Sequence, residues 1–258
     1  MQKYKTKKRF GQHFLHDQGV IQKLVHEINP LPSDRIVEIG PGLGALTFPL
    51  LEKLDVLNVV EIDRDVIQRL RLKNISNLVI HEQDALNFEF DQLVGPSGLR
   101  VVGNLPYNIS TPLIFHLLES AATIKDMHFM LQNEVVERIT AVPGNKTYGR
   151  LSVMVQYYCE TEYLFFVAPE SFSPPPKVDS AILRLIPRKA FSVKANSEKN
   201  LGRLVTQSFS MRRKTLRNNL KKLISAEQIE GLGIDPSARA ETLRVEDFVK
   251  LSNLLDED

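Results

Sequence analysis

The tetrapeptide Asn104-Leu105-Pro106-Tyr107 joins an amide side chain, a main-chain carbonyl followed by proline, and an aromatic ring. That set suits one difficult reaction. The exocyclic amine of adenine is a poor nucleophile because its lone pair is delocalised into the ring. The Asn104 side-chain oxygen and the Leu105 carbonyl can each accept one N–H, holding the nitrogen pyramidal with its lone pair aimed at an incoming methyl group. Pro106 fixes the chain direction so that the Leu105 carbonyl faces inward, and Tyr107 offers a ring on which a base can stack once it has left its helix. No strong general base is required, since the methylated amine can lose its proton to water later. Phe172, ahead of a proline run, is a candidate second face for the base, with plain packing as its alternative.

A second group of residues fits a cofactor. Glu38-Ile39-Gly40-Pro41-Gly42-Leu43-Gly44 lies between an apolar run and a helical segment, where Gly40 and its neighbours let a ligand approach the backbone. Glu61 follows Gly40 by 21 residues, at a place from which a carboxylate can accept from both ribose hydroxyls of an adenosyl group. Asp84, after the next apolar run, could accept from the adenine amine. A dinucleotide also fits such spacing, but the pattern is G-x-G-x-G and lacks the third glycine of the nicotinamide fingerprint. Glu38 would repel a pyrophosphate and attract the ammonium and sulfonium of S-adenosylmethionine, which is therefore the cofactor expected.

These residues need a scaffold that brings successive strand ends to one edge. Short apolar runs predict strands at residues 35–39, 57–62, 78–81, 100–102 and 127–131, with helices at 45–54, 65–72, 112–121 and 133–141 between or after them. Alternation of this kind implies an α/β fold, a doubly wound and mostly parallel sheet. Residues 162–167 and 178–185 read as strands that extend it on its far side as antiparallel partners. Beyond Pro187 the pattern is helical only, with Leu201, Leu204, Val205, Ser208 and Phe209 at helical spacing. A domain boundary is expected near residue 188, giving a catalytic domain at 1–188, with 1–15 as an N-terminal segment, and a small all-helical C-terminal domain at 189–258.

Composition narrows the partners. No stretch reaches the roughly 18–20 uninterrupted apolar residues of a membrane span, and the Lys-rich start has no apolar run behind it, so neither a signal peptide nor an anchor is expected. Cys159 is the only cysteine, which excludes an intramolecular disulfide and a multi-cysteine zinc cluster and points to a cytoplasmic address without a metal. The net charge is only +2, yet the basic residues are clustered. Lys3, Lys5, Lys7, Lys8 and Arg9 open the chain, and an acid-free run from Lys199 to Lys222 holds Arg203, Arg212, Arg213, Lys214, Arg217 and Lys221. Two such segments on a near-neutral chain suggest a polyanion partner, with solvated surface as the bland alternative.

With these residues assembled, the chain resembles the KsgA family of ribosomal RNA adenine dimethyltransferases, and most closely its bacterial, small-subunit members. The resemblance covers nearly the whole chain. It rests on residues 9–15 (Arg-Phe-Gly-Gln-His-Phe-Leu), 38–42, 103–110 (Gly-Asn-Leu-Pro-Tyr-Asn-Ile-Ser), 148–152 (Tyr-Gly-Arg-Leu-Ser) and 172–180 (Phe-Ser-Pro-Pro-Pro-Lys-Val-Asp-Ser). It implies a Rossmann-like class I methyltransferase sheet whose N-terminal segment folds over the methionine end of the cofactor, with His13, Leu15 and Asn104 among the cofactor contacts. His13 stands where many members have Asn; both side chains can offer a hydrogen bond. The implied reaction adds two methyl groups to each of two adjacent adenosines in the 3′-terminal hairpin loop of 16S rRNA, late in small-subunit assembly, by a monomer. The segment around Arg212, Arg213, Lys214 and Arg217, read as a helix, would then grip rRNA phosphates together with Lys7, Lys8 and Arg9. Rival readings are a large-subunit (23S) rRNA dimethyltransferase of the macrolide-resistance type, a DNA adenine methyltransferase, which usually carries D-P-P-Y or N-P-P-Y, and an assembly checkpoint factor that works by binding.

Overall fold

The structure is a computed structural model that describes residues 13–190 and 192–255. In chain order its elements are β1 (Phe14–Leu15), α1 (Gln18–Ile28), β2 (Arg35–Ile39), α2 (Thr47–Leu51), β3 (Leu57–Glu61), α3 (Arg64–Arg71), β4 (Leu78–Glu82), β5 (Leu99–Asn104), α4 (Ser110–Glu119), β6 (Ile124–Gln132) and α5 (Asn133–Ile139). There follow α6 (Arg150–Tyr158), β7 (Cys159–Val167), β8 (Phe172–Ser173), β9 (Ser180–Pro187), α7 (Glu198–Ser208), α8 (Leu216–Leu220), α9 (Ala226–Gly231) and α10 (Val245–Ser252).

Seven strands form one sheet in the order β4-β3-β2-β5-β6-β9-β7. The first five are mutually parallel, and β9 runs antiparallel to β6, as the sequence predicts. The central strands are almost continuously apolar: Ile36, Val37, Leu57, Val59, Val101 and Val102 are all fully buried, which is what helices on both faces of a parallel sheet require. The fold is therefore an α/β doubly wound sheet. From β2 the chain winds outward through β3 and β4, then returns to start again at β5 on the other side of β2. The crevice between the carboxyl ends of β2 and β5 is the topological switch point, where ligands bind in such sheets. Ile39 faces Gly103 in register, so Gly40 and Asn104 leave the sheet side by side.

The predicted strand at 35–39 is matched, and the other predicted elements recur with shifted ends. Helix α1 lies ahead of the first predicted element. Its signals are local: Asp17 caps it by accepting from the amides of Gly19 and Val20, and Ile21, Leu24, Val25 and Ile28 recur at helical spacing on its buried side. Beneath its C-terminal end Arg100 is buried, donating to Asp34 at 2.7 Å, to Asp126 at 2.9 Å and to the Ile28 carbonyl at 2.6 Å. A buried carboxylate left without that partner costs about 3–5 kcal/mol, so this ion network locks α1 to the sheet base.

The chain forms two compact units. One runs to Val136 and resumes over Glu162–Pro187; the other comprises Glu137–Thr161 and the chain from Arg188 onward. One of the divisions falls between Pro187 and Arg188, and Glu137–Thr161 groups with the second unit. The reason is packing: α6 buries Val153, Met154 and Val155 and contacts α7 and α10. The second unit also buries Tyr148 and Phe248, and the half-buried Phe209 stacks on Phe248 at 5.7 Å. No described residue beyond Pro187 belongs to a strand. No described helix is long and apolar enough to cross a membrane, and the described residues contain no cluster of metal-ligating side chains.

Candidate cofactor and acceptor site

The switch point opens into a cavity of about 280 Å³. Of the residues singled out from the sequence, His13, Leu15, Gly40, Glu61, Asp84, Asn104, Leu105 and Tyr107 all line it. Gly40 (φ 67°) and Gly42 (φ 53°) hold the loop after β2 in the left-handed region, and a Cβ on Gly42 would meet the Phe14 ring at 3.0 Å. The loop thus lies tight beneath the N-terminal segment.

Three carboxylates face this space. Glu38 on β2 is only 2% exposed and accepts a hydrogen bond from the Thr47 hydroxyl at 2.6 Å. Burial, aided by the nearby Glu61, pushes its pKa up to about 8 against the Thr47 bond. Glu61, at the end of β3, accepts through one oxygen from the amides of Ile62 and Asp63, both at 2.8 Å. Burial raises its pKa, while those amides pull it back. Asp84 caps a short helical turn at Ala85–Asn87, accepting from the Leu86 amide at 3.0 Å with one oxygen. Acids in an apolar, buried setting call for a cationic or hydroxyl-rich ligand.

At the end of β5 the acceptor tetrapeptide is pinned from several directions. The Leu105 amide donates to the Met130 carbonyl at 3.2 Å, extending the β5–β6 pairing. The Asn104 side-chain amide donates to the His13 carbonyl at 3.0 Å. The Tyr107 hydroxyl lies 2.7 Å from the Ser180 hydroxyl, and its ring stacks with His13 at a centroid distance of 5.9 Å and 22° between planes. Burial raises the Tyr107 pKa, so its phenol stays neutral. The sequence gives Ser180 a place in the strand expected at 178–185 but does not show its pairing with Tyr107. A hydroxyl at the first position of β9, one strand beyond the acceptor strand's neighbour β6, is identifiable only once β9 is placed beside β6.

Two expectations need correction. Phe172 does not line the cavity: it is 2% exposed, pairs with Leu15 across the β1–β8 ribbon and packs with Leu24, Met130 and Ile182 in the core. Arg212, Arg213 and Lys214 do not lie on a helix but in the turn between α7 and α8, and Arg217 alone is helical. Asn219 causes the turn, donating to the carbonyls of Ser208 and Met211 and so satisfying the end of α7. Arg212 is engaged by Glu241 at 3.1 Å and by the Lys146 carbonyl, whereas Arg213, Lys214 and Arg217 are exposed. Lys7, Lys8 and Arg9 lie outside the described residues.

Comparison with known proteins agrees with this site. The family description "Ribosomal RNA adenine dimethylase" matches residues 3–257. The chain is 56% identical to a ribosomal RNA small subunit methyltransferase A of Alcanivorax borkumensis, over 98% of this chain and 91% of that protein. Among solved structures it is similar to a dimethyladenosine transferase from Plasmodium falciparum, with a TM-score of 0.79 and 28% identity over 93% of this chain and 96% of that one. The 23S rRNA methyltransferase ErmE superposes with a TM-score of 0.74 and 26% identity, covering 95% of this chain and all of that chain. On the near-complete family match, and with the acceptor tetrapeptide beside an acidic cavity at the switch point, the chain belongs to the ribosomal RNA adenine dimethylase family.

Proposed function

We propose that the protein transfers methyl groups from S-adenosylmethionine to N6 of two adjacent adenosines in the 3′-terminal hairpin loop of 16S rRNA. The observation that carries this reading is that Asn104, Leu105 and Tyr107 share one cavity with Glu61 and Asp84, so acceptor and cofactor groups face each other. The donor set fits the cofactor: Glu38 and Glu61 suit its cationic methionyl end and its ribose, and Asp84 keeps an oxygen for the adenine amine. When bound, S-adenosylmethionine supplies an electrophilic methyl group on a sulfonium.

The remaining work belongs to this chain. Asn104 and the Leu105 carbonyl accept the two N–H bonds of the target amine and orient its lone pair. Tyr107 supports the base, and the apolar walls of Leu15, Leu105 and Met130 exclude water from the transfer. The proton of the methylated amine leaves to solvent. A small-subunit substrate is favoured over a large-subunit one because the relative named for the small subunit is 56% identical, against 26% for ErmE. The second unit, with exposed Arg213, Lys214 and Arg217, would hold rRNA phosphates and so position the loop without choosing the base. The protein would act as a cytoplasmic monomer on the small subunit or its precursor.

The test is transfer of labelled methyl from S-adenosylmethionine to small subunits lacking this modification, with large subunits and DNA as parallel acceptors, followed by nucleoside analysis. Dimethyladenosine confined to small-subunit rRNA supports the proposal. Label in 23S rRNA or DNA overturns the substrate, and tight subunit binding without label leaves an assembly factor.

A further inference from the structure

His13 touches the acceptor tetrapeptide at two points and the chain just after β8 at a third. Its main-chain carbonyl accepts from the Asn104 side chain at 3.0 Å, its ring stacks with Tyr107 at 5.9 Å, and its Nδ1 lies 2.8 Å from the Pro174 carbonyl. A carbonyl can only accept, so the Asn104 atom facing it is the amide nitrogen, and the side-chain oxygen is turned the other way. An asparagine without this contact could present either end to a ligand, and only one end accepts hydrogen bonds from an adenine amine. By the same reasoning Nδ1 of His13 carries a hydrogen and donates to Pro174. That bond anchors the residue whose carbonyl sets Asn104.

The anchor is itself built in. Phe14 and Leu15 pair with Ser173 and Phe172, the His16 amide donates to the Ser171 carbonyl at 2.9 Å, and the Ser171 hydroxyl donates to Asp17 at 3.3 Å. His13 lies beside this docked segment at the cavity wall.

We infer that His13 is a positioning residue for methyl acceptance: docking of its segment turns the Asn104 amide so that its oxygen faces the adenine, and its ring sets the plane of Tyr107. The inference rests on the reading of Asn104 as the acceptor of the adenine N–H bonds. It makes acceptor competence conditional on the same segment that borders the cofactor cavity, so a protein with that segment undocked holds a misoriented or mobile Asn104. This role differs from a cofactor contact, because it acts through Asn104 and Tyr107.

The experiment uses the full-length protein with ¹⁵N-labelled asparagine, comparing wild type with His13→Ala and His13→Asn. The Asn104 side-chain signals are assigned by their disappearance in Asn104→Asp, and the other asparagine signals report that the fold is kept. In His13→Ala the Asn104 amide protons should lose their hydrogen-bonded shift and exchange with solvent about tenfold faster, as loss of one hydrogen bond implies. His13→Asn, which keeps an N–H donor for Pro174, should restore them. Single-turnover methylation at saturating cofactor should fall by about the same factor in His13→Ala and recover in His13→Asn, while cofactor Kd changes less than about threefold. Unchanged Asn104 signals in His13→Ala overturn the inference, as does a loss confined to cofactor Kd. The spectra read the coupling even if wild-type protein fails to methylate small subunits, so failure of the functional proposal would be seen separately.

Discussion

Thr47 donates its hydroxyl hydrogen to Glu38 at 2.6 Å, and among the described residues that is the one hydrogen bond to a carboxyl group that is 2% exposed. It is too little to keep the group ionised, and burial with Glu61 nearby raises the pKa to about 8. The raised value makes Glu38 a proton-linked part of the cavity.

The first prediction concerns pH. Between the ordinary value of 4.5 and about 8 the folded, cofactor-free protein holds a proton on Glu38 that the unfolded chain has lost. Its contribution to stability is therefore full below 4.5 and disappears as pH rises through 8. A cationic ligand reverses the preference, so cofactor binding below pH 8 should release a proton, and affinity should rise by up to about tenfold per pH unit. Glu61, also raised, adds to the same trend. Calorimetry in buffers of different ionisation enthalpy measures the release, and Glu38→Gln should remove most of it. Equal affinity at pH 6 and pH 8.5 would contradict this assignment.

Division of labour gives the second. Glu61→Ala should weaken cofactor binding by about 10- to 100-fold, as lost charged hydrogen bonds do, with turnover at saturating cofactor largely retained. Asn104→Ala should lower turnover by about 10²- to 10³-fold with a smaller change in cofactor Kd. Binding calorimetry paired with single-turnover kinetics separates them; matching losses of affinity in both variants would refute the split.

A third follows from the 2.7 Å contact between the Tyr107 and Ser180 hydroxyls. Tyr107→Phe and Ser180→Ala should each reduce methyl transfer about three- to tenfold, and the double variant should be no worse than either alone. Tyr107→Ala removes the ring as well and should cost a further factor of about ten or more, the usual worth of a base-stacking aromatic. Additive losses in the cycle would show that the two hydroxyls act independently.

The fourth concerns the exposed basic turn. Replacing Arg213 and Lys214 together by Ala should weaken rRNA binding and reduce the slope of log K against log salt by about two, one for each lost phosphate contact. Arg212→Ala should act differently, because its guanidinium is engaged with Glu241 and Lys146; local stability should fall with it. Filter binding across a salt series, beside urea unfolding of each variant, reads both quantities.

Much of this site is legible in the sequence for a reason that is local. Strand–helix alternation fixes a parallel sheet, and a parallel sheet brings the residues just after each strand to one edge. Gly40, Glu61, Asp84 and Asn104 could therefore be assigned to one cavity from their order alone, and all four line it. The proline after Leu105 and the glycines after β2 act on their own backbone and are read the same way.

What tertiary structure decided involves residues far apart in the chain. The bond from Asn104 to His13 spans 91 residues, that from His13 to Pro174 spans 161, and no periodicity encodes either. Phe172 looks like a loop aromatic free to stack until the β1–β8 ribbon pairs it with Leu15 and buries it. The basic run looks like a helix until Asn219 caps the end of α7 and turns the chain. Residue types determined which chemistry was possible and at which strand ends; long-range packing determined which side chains face the cavity, because burial and hydrogen-bond partners depend on neighbours that the local sequence does not contain.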